Sequence, residues 1–243
     1  MNQYYQQPYP SRTMGGTGEL TLVNAFMRRV YNWMVAGLAL SALVAWYMTT
    51  SLPALSLFIN LRTGAPTMWF WAAIVGEFGL VLAISAGIKR MQVGTAASMF
   101  VLYAALNGVT LSMVLLAYTG ASVMKAFLVT AGTFGITSVW ASTTKKDLTA
   151  WGSFLFMGLI GIVIASLVNM FFCSPVVDYV ISMIGVGVFV GLTAFDTQRL
   201  RTMVLEAANE VTVSKMAIFG ALQLYLDFIN LFLMLLRFFG DRR

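Results

Sequence analysis

Seven separate apolar runs divide this chain, at about 30–50, 68–88, 95–117, 123–142, 151–172, 176–198 and 216–238. A helix needs roughly 20 predominantly apolar residues to cross the hydrocarbon core of a bilayer, and each run is near that length. Hydrophobic residues make up 59% of the chain and charged residues only 10%, with a mean hydropathy of +0.82. A soluble core of this size would not need so much apolar surface. The runs fill most of the 243 residues and leave no room for a soluble domain. The expected fold class is all-α integral membrane, with seven transmembrane helices in one domain over residues 26–243. Residues 1–25 are expected to form a disordered cytoplasmic tail. Its first part, Met1 to Gly18, is rich in Gln, Tyr, Gly and Pro and lacks the basic start and apolar run of a signal peptide.

Proline placement agrees with this division. Pro8, Pro10, Pro53, Pro66 and Pro175 all fall in the tail or between runs, where they remove no helical hydrogen bond. This argues against the broken helices of many secondary transporters, and neither a repeat of 20–50 residues nor two equal halves is visible. The single Cys173 excludes an intramolecular disulfide and a cysteine-cluster metal site; it reads as a small hydrophobe at a helix end.

Lys and Arg set the expected orientation. With a cytoplasmic N-terminus, Arg12, Arg28, Arg29, Lys89, Arg90, Lys145, Lys146, Arg199, Arg201 and Lys215 lie inside. Arg62, Lys125, Arg237, Arg242 and Arg243 then lie outside. The bias favours N-in and C-out, although the basic C-terminus opposes it. This topology accounts for the net charge of +6. There is no basic patch interleaved with base-stacking aromatics, so no nucleic-acid partner is expected.

Charge inside the runs is the chemically informative feature. Of nine acidic residues, Glu19, Asp147, Asp178, Glu206, Glu210 and Asp241 fall in the tail, loops or span ends, which leaves Glu77, Asp196 and Asp227, and no Lys or Arg lies deep in any span. A carboxylate in hydrocarbon costs roughly 2.5 kcal/mol or more on insertion scales. It requires a proton, a cation or a partner group. Asp227, in Leu224-Tyr225-Leu226-Asp227-Phe228-Ile229, is the most deeply set. Asp196 lies near the end of the sixth run, where it reads either as one member of a carboxylate pair or as an interfacial residue paired with Arg199 or Lys89. Glu77 reads either as functional or as a partner for a hydroxyl on a facing helix. Histidine is absent, so a pH response in the physiological range falls mainly to carboxyls. Asn107, Asn169, Gln223 and Asn230 read as interhelical hydrogen-bond groups. Gly187 and Gly191 read as a close helix contact.

Depth works against a simple pairing. At 1.5 Å per residue, Asp227 lies about 17 Å into a seventh helix starting near 216, and Asp196 about 3 Å from the end of a sixth ending near 198. The two meet only if the seventh helix starts later or the sixth runs on past 198.

The segment from Leu222 to Arg237 closely resembles the last helix of the Bax inhibitor-1 family of membrane proteins. Val190 to Gln198, with Phe195-Asp196-Thr197-Gln198, looks like the end of that family's sixth helix, and Gly76-Glu77-Phe78-Gly79-Leu80 resembles its second. The hydrophobic layout is similar over roughly residues 25–240. The resemblance implies six helices around a central seventh. It implies that Asp196 and Asp227 form a pH-sensing carboxylate pair near the cytoplasmic end of a pore, which also supplies a weak calcium site. The implied function is a pH-regulated calcium leak, with calcium as the transported ion, no cofactor and no enzymatic activity. A shared proton or ion pair would hold the sixth and seventh helices closed. Deprotonation would create repulsion, relieved by opening or by a divalent cation. Glu77, Lys89, Arg90 and Arg199 are candidate supporting residues, Lys89 or Arg90 as the basic lock on an aspartate. The loop Arg199 to Lys215 looks longer than in compact members. Partners implied are the lipid bilayer, protons, calcium and a membrane-bound AAA protease, and the location a bacterial inner membrane. Two alternatives stand beside this: a modulator of such a protease, and an intramembrane aspartyl protease. The Gly-x-Gly-Asp signature of the latter is missing, because Asp196 follows Thr193-Ala194-Phe195 and Asp227 follows Leu224-Tyr225-Leu226.

Overall fold

The computed structural model describes residues 16–207 and 209–241. Among them the order is α1 (Gly16–Thr50), α2 (Leu52–Phe58), α3 (Met68–Gly87), α4 (Val93–Ala117), α5 (Gly120–Thr143), α6 (Gly152–Phe172), α7 (Pro175–Met203) and α8 (Glu210–Phe239). Short 3-10 turns at Thr149–Trp151 and Val204–Glu206 precede α6 and follow α7. Seven of these helices, all but α2, are long and apolar enough to cross a membrane. The protein is an all-helical integral membrane protein.

Local chemistry sets the helix ends. Asn209 Oδ1 accepts from Thr212 N at 2.8 Å, Ser174 Oγ from Val177 N, and Thr119 Oγ1 from Ser122 N. Each satisfies one of the donors that a helix start leaves open. Pro53 and Pro175 stand in the first turns of α2 and α7, where a missing N–H costs nothing. Between α2 and α3 the chain turns through Gly64 at φ 70°, and Ile59 bridges Pro66.

Three helices overrun the apolar runs. α1 begins at Gly16, so the residues expected as tail up to 25 are helical from that point; residues 1–15 lie outside the described residues. Val23, Phe26, Met27, Val30 and Met34 are buried while Arg28 and Arg29 are exposed. That is the stripe of an amphipathic helix, which a hydropathy window averages away. α7 continues to Met203 and α8 begins at Glu210, so the segment expected as a long loop, Arg199 to Lys215, is mostly helical. Leu200, Val204 and Val213 from these overhangs, with the adjoining Ala217 and Ile218, share one apolar cluster with Val23, Phe26 and Met27. At its rim Arg29 Nη1 donates to Glu210 Oε2 at 3.1 Å, an exposed pair that contributes at most about 1 kcal/mol.

α8 packs on α1, α3, α4, α5 and α7, whereas α6 packs on α7. The spanning window of α8 is 72% buried, against 11–44% for the others. Glycines permit the closest approaches. A Cβ on Gly108 would stand 2.7 Å from the Ser41 carbonyl oxygen and 2.7 Å from Val44 Cβ. Since backbone cannot swing aside, Gly108→Ala should cost about 1–3 kcal/mol by overpacking the α1–α4 seam. Gly79→Ala, where nothing lies within 4 Å, should not destabilise. Melting temperatures of the two variants in one detergent check this; an unchanged Gly108→Ala would mean the seam can relax. Of the Gly187 and Gly191 pair, only Gly191 makes a close contact, against the Leu155 side chain, while Gly187 faces open space.

Candidate functional site

α7 and α8 are antiparallel, and two glycines fix their register. Gly220 faces Leu200, and Gly185 faces Met234. That register sets Asp227 opposite Leu192 or Thr193, about one turn from Asp196. The two positions are therefore offset by about 4.5–6 Å along the axes. The extension of α7 past residue 198 makes this possible, and the later start of α8 is not needed.

Both acids are buried, Asp196 at 9% and Asp227 at 5% exposure. They line one cavity of about 590 Å³ with Arg199, Gln223 and Asn230, beneath Ser85 of α3 and Thr149, Gly152 and Ser153 at the start of α6. Asp227 Oδ2 and Gln223 Oε1 are buried with no hydrogen-bond partner. An ionised carboxylate oxygen left this way is costly. The Arg199 guanidinium lies 5.9 Å from the Phe195 ring centre. No ion pair within 4.0 Å joins Asp196 to Arg199 or Lys89 among the described residues.

The other sequence candidates fall elsewhere. Ser85, one turn before Lys89, lines the cavity, but Lys89 and Arg90 are exposed in the turn that follows α3. Lys89 instead receives a hydrogen bond at its carbonyl from Lys215 Nζ at 3.4 Å. Glu77 belongs to a different network. Its Oε1 accepts from Thr110 Oγ1 at 2.8 Å and its Oε2 from Asn107 Nδ2 at 3.3 Å. Asn107 Oδ1 accepts from the Tyr225 hydroxyl at 2.8 Å, and that hydroxyl is 2.6 Å from Ser41 Oγ. This chain ties α3, α4, α8 and α1 together. Tyr225 precedes Asp227 by two residues, about 200° around α8, so the Glu77 network and the acid pair lie on opposite faces of that helix.

Of the four amides read as interhelical groups, Asn107 is one. Asn169 instead closes the α6–α7 turn through Ser174. Neither Gln223 nor Asn230 is hydrogen-bonded to another helix among the described residues; Asn230 Nδ2 donates to Leu226 O on its own helix at 2.8 Å. Their spacing from Asp227, four residues before and three after, puts all three on one helix face and was legible in the sequence. Gln198 was not singled out, yet it anchors the loop over the cavity. Its Oε1 accepts from Leu148 N and its Nε2 donates to Lys146 O, each at 2.8 Å.

Comparison with known proteins places this architecture. The sequence model of the family described as "Inhibitor of apoptosis-promoting Bax1" matches residues 23–243. Inner membrane protein YbhL of Escherichia coli K12 is 46% identical over 223 residues, covering 91% of this chain and 93% of that protein. Uncharacterized protein RP147 of Rickettsia prowazekii is 41% identical over 218 residues, covering 90% of each. Uncharacterized membrane protein SpyM3_0260 of Streptococcus pyogenes is 39% identical, covering 90% of this chain and 93% of that one. Both the residues matched and the extent of these similarities show that the chain is a membrane protein of the Bax inhibitor-1 family.

Proposed function

We propose that this protein is a pH-regulated leak for calcium, gated by the Asp196 and Asp227 carboxylates at the α7–α8 seam. The observation that carries this reading is the unpartnered Asp227 Oδ2, buried in a cavity that Asp196 also lines. In this reading the two carboxyls share a proton. With one proton between them they hold α7 and α8 together. Without it, like charges face each other at low dielectric, and the repulsion is relieved by separating the helices or by admitting a divalent cation. Among the described residues no group of three His, Cys, Asp or Glu side chains could hold a metal.

Purified protein in calcium-loaded proteoliposomes should release calcium at a rate that changes with pH. Release equal to that of protein-free vesicles at every pH would end this reading.

The orientation we infer is N-terminus in the cytoplasm of a bacterial cell, in the inner membrane. Its support is the collection of Arg28, Arg29, Lys89, Arg90, Lys145, Lys146, Arg199, Arg201 and Lys215 at one end of the bundle. Arg12, Arg242 and Arg243 lie outside the described residues. Cys173 is exposed, so labelling requires a Cys173→Ser background. There, an impermeant thiol reagent added outside should modify Lys125→Cys and spare Lys145→Cys. The reverse pattern would invert the topology.

A further inference from the structure

Calcium takes six to eight oxygen ligands, and two aspartates cannot supply them. The face of α8 that carries Asp227 offers more. Gln223 and Asn230 stand one turn to either side of Asp227, and all three line the same cavity as Asp196. Gln223 Oε1 is buried there without a hydrogen-bond partner. An amide oxygen stranded in this way loses about 1–3 kcal/mol unless something meets it. Asn230 is held differently. Its Nδ2 is bound to the Leu226 carbonyl at 2.8 Å, which engages the donor end of the amide on its own helix. Among the described residues neither side chain is hydrogen-bonded to another helix.

We propose that Gln223 Oε1 and Asn230 Oδ1 join the Asp196 and Asp227 carboxylates as ligands for a divalent cation of the calcium class, forming a four-residue coordination set on the α7–α8 seam. The inference rests on the leak reading and extends it by assigning neutral ligands. Hard cations prefer oxygen donors of this kind. Amide oxygens add coordination without adding negative charge. The site therefore attracts the ion through two acids yet does not hold it as tightly as three or four carboxylates would. Arg199, lining the same cavity, further limits the residence of a cation. Hydroxyls of Ser85, Thr149 and Ser153 on the facing elements are available to water in the remaining positions.

Calcium binding to the purified full-length protein in nanodiscs, measured by isothermal titration, tests the assignment. Gln223→Met and Asn230→Leu keep the volume and remove the oxygen; each should weaken calcium binding about tenfold. Gln223→Glu puts a carboxylate at the same place and should tighten it by a similar factor. A change in opposite directions for Met and Glu cannot come from a general loss of folding. If wild type binds calcium and Asp227→Asn abolishes it, but the amide variants bind like wild type, the amide ligands are wrong and the carboxylate pair stands. If wild type binds no calcium, the leak reading and this inference fall together.

Discussion

Asp196→Asn and Asp227→Asn should each flatten the pH dependence of calcium release, to the same extent, and the double variant should add little. Repulsion needs both charges, so neutralising either partner removes it. Residues acting as a unit are non-additive, with couplings of about 0.5–3 kcal/mol. The geometry behind this expectation is the α7–α8 register, which offsets the two residues by about one helical turn within a single cavity. Release from proteoliposomes across a pH series, for wild type, the two single variants and the double, gives the result directly. If Asp196→Asn lowers stability but keeps the pH response, Asp196 is an interfacial residue whose neighbour is Arg199. Fully additive effects of the two changes would mean separate sites, and a shared proton would be ruled out.

The largest effect on stability should come from Tyr225→Ala. Tyr225 is fully buried. Its ring packs edge-on against Phe100 and Tyr103 at centroid distances of 6.0 and 5.5 Å, and its hydroxyl links Ser41 of α1 to Asn107 of α4. Removing an aromatic side chain from such a core costs about 3–5 kcal/mol. Tyr225→Phe keeps the ring and removes only the hydroxyl. Interhelical hydrogen bonds in membranes are worth about 0.6 kcal/mol on average and at most about 2, so that variant should lose far less. Unfolding in mixed micelles, followed by circular dichroism, separates the two. Equal losses would mean that the polar chain from Glu77 to Ser41, rather than ring packing, holds α8 to α1 and α4.

The number of membrane crossings and the identity of the acids within them were decided by the sequence alone. Each apolar run must form its own backbone hydrogen bonds in lipid, so a helix is specified locally. A carboxyl inside such a run stands out whatever surrounds it, which is why Asp196, Asp227 and Glu77 could be named before any packing was known. The helix overhangs were legible only in part, because Val23, Phe26 and Val30 alternate with exposed Arg28 and Arg29 and an amphipathic stretch has no high hydropathy average. Only the tertiary structure decided what each acid faces. The placement of Asp196 and Asp227 in one cavity depends on axial register, which Gly220 and Gly185 set by admitting Leu200 and Met234. Glu77 meets Thr110 and Asn107 rather than the acid pair, and Arg199 rather than Lys89 or Arg90 lines the cavity. Hydropathy along a chain carries no information about rotation around a helix axis or about which helix lies beside it. Those are fixed by close packing of small residues and by interhelical hydrogen bonds, between positions up to 184 residues apart in the case of Ser41 and Tyr225.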